Sequence, residues 1–169
     1  MISIAFRFIF FVLLQGLVMH QLSNTLAEFR YVQLIFYPLF VLLLPIKMKT
    51  VQSMLLAFSM GLAIDFFYSS IGIHAAALVF TAYIKPFVVH QLQIQPTTFG
   101  RRGIKIIDIE FPMFIRLMII LTFIHNLVYF LLLSFSFSNF FHTLLLTFFS
   151  SIASLLLMVM YLLIFQPKQ

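Results

Sequence analysis

Six apolar runs, none carrying more than one charged residue, occupy most of this chain at residues 2–19, 31–46, 51–67, 71–89, 111–135 and 140–165. A helix needs about 20 residues to cross a bilayer, within a range of about 17–25, so each run is long enough or nearly so. A soluble alternative fails on surface chemistry. Hydrophobic residues make up 63% and charged residues 8%, against about half and about a quarter in soluble domains. Too few polar side chains exist to face water, so lipid is the expected solvent of most of this surface. The reading is an all-α integral membrane protein of six transmembrane helices, one transmembrane domain over 1–169.

The breaks between runs fit that count. Ser23-Asn24-Thr25, Pro45-Ile46-Lys47, Tyr68-Ser69-Ser70 and the stretch from Ser134 to Asn139 are short, so consecutive helices should be antiparallel neighbours. The first run ends in bulky Leu17-Val18-Met19-His20 without a small-x-small cleavage pattern, which predicts a retained helix rather than a signal peptide. Cysteine is absent, so neither a disulfide framework nor a thiolate metal site can form. The net charge of +6 reads as topology rather than nucleic-acid binding, because the basic residues sit mostly between apolar runs.

With the N-terminus inside, Arg7, Lys47, Lys49, Lys85, Arg101, Arg102, Lys105, Arg116 and Lys168 are cytoplasmic and only Arg30 is outside. This positive-inside bias predicts cytoplasmic N- and C-termini. A five-helix arrangement in which 31–46 does not span, with Arg7 outside and Arg30 inside, scores the same nine against one. Charge therefore does not decide the second crossing. Its hydrophobicity favours one, since Val32 to Leu44 holds no charge, with Pro38 predicting a kink.

A carboxylate at a helix centre costs about 2.5–3.5 kcal/mol on insertion scales, so charges inside apolar runs need a reason. Asp65 is the one acid in any run, near the outer end of the third. Steps of four back from it meet Gly61, Ala57 and Ser53, a small-residue face on which a neighbouring backbone can lie close. In the fifth run Thr122, His125, Asn126 and Tyr129 form a polar stripe at helical spacing. Asp65 with two histidines would suit zinc, but there is no HExxH pair, and interhelical hydrogen bonding explains these residues more simply. GxSxG, Walker and GxGxxG patterns are missing, which argues against an enzyme, and no cofactor or catalytic residue is expected. Lys85 and Arg116 are expected to snorkel to phosphates. The loop 90–110, with Arg101, Arg102 and Lys105, is expected to contact anionic lipid or dock a cytoplasmic partner, with a small hairpin at the interface as one form.

The stretch from Gly61 through Asp65 to Gly72, His74 and Ala75-Ala76-Ala77, with Tyr83 beyond it, resembles the central region of MreD, the rod shape-determining membrane protein family. Pro45, closing the second run, also resembles the family pattern, and the downstream region from Phe114 to Phe165, with His125 and Ser134 to Asn139, is similar to the Bacteroidota type. The resemblance implies a non-enzymatic scaffold in a bacterial inner membrane. Its partners would be an MreC-like membrane protein and, indirectly, an MreB-like filament, a transpeptidase and a SEDS glycosyltransferase of lateral peptidoglycan synthesis. The family's fold is also similar to substrate-binding subunits of energy-coupling-factor transporters, which supplies the alternative of a vitamin-uptake subunit. On the resemblance together with the polar stripe of the fifth run, Gly61, Asp65, Gly72, His74, His125 and Asn126 become candidate structural or partner-binding residues.

Overall fold

The structure is a computed structural model that describes residues 4–25, 32–94, 111–134 and 140–165. Among these residues every regular element is a helix. They are α1 (Ile4–Leu13), which continues through a π-helical stretch (Leu14–Met19) into α2 (His20–Thr25), then α3 (Pro38–Leu42), α4 (Thr50–Tyr68), α5 (Ile73–Gln91), α6 (Phe111–Ser134) and α7 (Phe140–Phe165). Five helices are long and apolar enough to cross a membrane: Ile4–Leu22, Thr50–Tyr68, Ile73–Gln91, Phe111–Ser134 and Phe140–Ile164. The chain thus has the helices of a multi-pass membrane protein. Consecutive helices from α4 to α7 pack against one another, as short connections dictate.

The expected second span is not among the five helices of crossing length. Residues 32–36 form no regular element, and only Pro38–Leu42 is helical, far short of a crossing helix. This stretch nevertheless passes along the bundle. Gln33 meets Ser150 and Tyr129, Tyr37 meets His125, and Val41 to Leu44 meet Lys85. Its direction is therefore that of α5 and α7. Leu34 to Leu44 are all buried, with Tyr37, Leu39 and Val41 at 0% exposure. The passage is hydrophobic because it is core, not because it faces lipid. Composition could not separate these two solvents, and Pro38 starts the short helix at N1 instead of kinking a long one.

The two ends of the bundle follow from these contacts. Phe8 lies against Phe40, and Phe10 and Phe11 against Tyr161, so the start of α1 and the close of α7 share an end with Lys85. His20 and Gln15 meet Tyr68, so α1 and its continuation rise to the end where Asp65 sits. Five helices and one interior passage together return both terminal helices to a single end.

Candidate functional site

The corner between α4 and α5 is built around Asp65. Helix α4 stops at Ser69, whose φ of 51° is left-handed, and Gly72 at φ 74° turns the chain into α5. A side chain at Gly72 would be strained there, and glycine brings none to cap the new helix. Asp65 supplies the cap from the preceding helix. Its Oδ1 accepts from His74 N–H at 3.1 Å and its Oδ2 from Ala75 N–H at 3.0 Å, the second and third residues of α5. These are the orphan amides that an N-cap residue normally satisfies.

The carboxylate also accepts from Ser70 Oγ at 2.5 Å and lies 2.9 Å from His74 Nδ1. Ser70 Oγ is 2.9 Å from the same Nδ1. Since the serine hydroxyl donates to Asp65, the network assigns the Nδ1–H tautomer to His74. Serine, histidine and aspartate thus converge, but both oxygens meet one ring nitrogen. A nucleophile triad needs serine and acid on opposite nitrogens, so this arrangement locks a turn and does not activate the hydroxyl.

Close packing makes the corner possible. A Cβ at Gly61 would overlap the Ala75 Cα and lie 2.6 Å from its nitrogen, so α4 and α5 approach backbone to backbone one turn below the cap. Ser53 and Ala57 continue the same buried face. The expectation of a small-residue interface bearing Asp65 is realised between these two helices.

Around His74 stand three tyrosines, Tyr37, Tyr68 and Tyr129, with ring centroids 5.7, 4.7 and 4.9 Å away. Each hydroxyl has a partner. Tyr68 takes Gln15 Nε2 at 2.8 Å, Tyr129 takes Gln33 Nε2 at 3.0 Å, and Tyr37 meets His125 Nε2 at 2.8 Å. His125 Nδ1 lies 2.8 Å from Thr81 Oγ1, so both of its nitrogens are engaged. His125 therefore joins the cluster through Tyr37. Asn126 does not: it faces α7, donating to Ser151 Oγ at 3.0 Å. Its Oδ1 is the buried side-chain oxygen without a partner among the described residues.

The polar groups beyond this corner serve the interior passage. A non-helical backbone in an apolar core must find donors and acceptors in side chains. Gln15, turned inward at the π-helical stretch, accepts from Phe36 N–H at 2.8 Å and donates to Leu34 carbonyl at 3.1 Å. Its amide acts as one residue of a neighbouring strand would. Ser150 and Ser154 Oγ accept from Gln33 and Ile35 N–H at 2.9 and 3.0 Å. At the other end Lys85 Nζ donates to the carbonyls of Val41, Leu42 and Leu44 at 2.8, 3.4 and 2.7 Å. Lys85 is 4% exposed, which corrects the expectation of a snorkelling side chain. Arg116 is exposed, in keeping with it.

Sequence reasoning missed the roles of Gln15, Gln33, Tyr37 and Ser70 around the corner and of Lys85 at the far end of the passage. A glutamine in mid-run and a Ser-x-x-x-Ser pair were the available signals. Among the described residues no three histidine or acidic side chains are placed to share a metal ion. Arg101, Arg102 and Lys105 lie outside the described residues, as do residues 95–110 of the loop. No family model, curated protein or solved structure matches the chain.

Proposed function

We propose that the chain is a non-enzymatic membrane scaffold of the MreD type, residing in a bacterial inner membrane and organising lateral peptidoglycan synthesis with an MreC-like partner. One observation carries this reading: apart from Asn126 Oδ1, the buried polar groups described above are matched to each other and to the chain's own backbone, while an apolar stripe lies exposed along α4. Asp65, His74, His125, Gln15 and Lys85 all have internal partners. Val51, Leu55, Phe58, Leu62 and Phe66, by contrast, form an exposed stripe along α4. Such a stripe suits lipid or the helix of a membrane partner.

Two further features support the reading. Gly61, Asp65, Gly72 and His74, the residues that carry the MreD resemblance, form one packed corner. The ends of α1 and α7 share the end that carries exposed Lys47, Lys49 and Arg116, in keeping with two cytoplasmic termini. The expected result for Asp65→Ala is weaker co-purification with an MreC-like protein and loss of rod shape at matched membrane levels. Unchanged co-purification and shape would remove Asp65 from the account. A panel of vitamins titrated against the detergent-purified protein separates the transporter alternative, which requires sub-micromolar binding of at least one.

A further inference from the structure

At the Lys85 end a cavity of about 300 Å³ opens between α4, α5 and the turn that joins α3 to α4. That volume is at the lower limit of small-molecule sites, about 300–1,000 Å³. Its walls are largely apolar, with Ile46, Met48, Pro86 and Val89 among them. Its polar lining is Thr50, Ser53, Lys85 and His90, with no carboxylate. Asp65, the one acid among the described residues, belongs to the opposite end.

Lys85 is spent on the carbonyls of Val41, Leu42 and Leu44, and Ser53 Oγ on Met48 Sδ at 3.8 Å, but the other two polar groups differ from those of the Asp65 corner. Neither the Thr50 hydroxyl nor the His90 ring has a hydrogen-bond partner among the described residues. Thr50 also begins α4, whose N-cap Lys49 makes no side-chain cap, and the first helical bond is Ser53 N–H to the Lys49 carbonyl at 3.1 Å. The amides of Thr50, Val51 and Gln52 precede that bond and have no acceptor within the helix. Lys47 and Lys49 stand exposed on the same turn. Uncapped amides, free hydroxyl and imidazole groups and two lysines surround an opening whose interior is greasy. Anionic oxygen at the rim and methylene groups within would satisfy both.

We propose that this cavity binds the phosphate head of an anionic amphiphile, with the first carbons of its tail against Ile46, Met48, Pro86 and Val89. The site is separate from the Asp65 corner and stands whether or not the scaffold reading holds. The test is calorimetric titration of the full chain in a non-ionic detergent at fixed ionic strength. The probes are dioctanoylphosphatidylglycerol, dioctanoylphosphatidylcholine and inorganic phosphate.

The phosphatidylglycerol is expected to bind at least about tenfold more tightly than the phosphatidylcholine. Thr50→Phe, which fills the rim, should weaken it about tenfold. The pair Lys47→Gln and Lys49→Gln, both exposed and outside the packed core, should weaken it about fivefold per charge. Inorganic phosphate binding as tightly as the phosphatidylglycerol would support the anion site and name a free phosphate as its source. Equal affinity for the two lipids would overturn the proposal, as would phosphatidylglycerol binding unchanged in both the filled and the charge-removed variants.

Discussion

Asp65 and Lys85 do the same work at opposite ends of the bundle with opposite chemistry. Asp65 offers oxygens to the amides that open α5, and Lys85 offers donors to the carbonyls that close α3. Each lets a helix terminus be buried, where water could not satisfy it. They differ in reach. Asp65 acts across a tight turn, nine and ten residues from its partners, whereas Lys85 is joined to residues more than forty positions earlier. A local cap holds a corner, while a distant one fastens a whole passage of chain inside the core.

The comparison predicts that the Lys85 end is the costlier to damage. Lys85→Met keeps the stem but takes a donor from three carbonyls; Val41's retains Leu44 N–H, while those of Leu42 and Leu44 lose theirs, each worth about 1–3 kcal/mol when buried and unpaired. An unfolding equilibrium measured in mixed micelles should fall by about 3–5 kcal/mol. If it fell by less than the Asp65 variant costs, the ranking of the two ends would reverse.

Gly61→Val comes next. Its added atoms must displace the Ala75 backbone, so the α4–α5 corner should open at a cost of about 2–3 kcal/mol, visible as a lower thermal midpoint. Asp65→Asn keeps one acceptor but turns an N–H₂ toward a backbone amide or His74. A loss of about 1–2 kcal/mol is expected, with faster hydrogen exchange confined to the first turn of α5.

Gln15→Leu sharpens the same contrast from the other side. It removes the partner of Phe36 N–H and Leu34 carbonyl, at an expected cost near that of Asp65→Asn, about 1–2 kcal/mol. Its exchange signature should instead fall on residues 34–36. The smallest effect belongs to Phe66→Leu: Phe66 is 84% exposed on α4, so stability should stay within about 0.5 kcal/mol.

The difference in reach also explains what could be read in advance. The Asp65 corner was legible because its parts are local: a lone acid, small residues at steps of four, and a glycine after a short turn. Four of the five spanning helices match expected runs to within about two residues at either end, since helix length and hydropathy are properties of one segment. The passage at 32–46 was not legible. Its residues are as apolar as a span, and what distinguishes core from lipid is the set of partners waiting elsewhere. Gln15, Lys85, Ser150 and Ser154 carry that information, yet no spacing rule links them to residues 33–44. Nor did the charge tally help, because both topologies considered scored alike.

The central claim is that residues 34–44 run through protein and not through lipid. Photolabelling with a diazirine carried on a lipid acyl chain tests it without altering the protein, using the chain in bilayers and peptide mapping by mass spectrometry. Label is expected on the exposed stripe of α4, at Leu55, Phe58, Leu62 and Phe66, and on Leu156 and Leu163 of α7. Residues 34–44 should remain unlabelled at every position. Label recurring along 34–44 at the level of the α4 stripe would contradict the interior passage and restore a sixth lipid-facing helix.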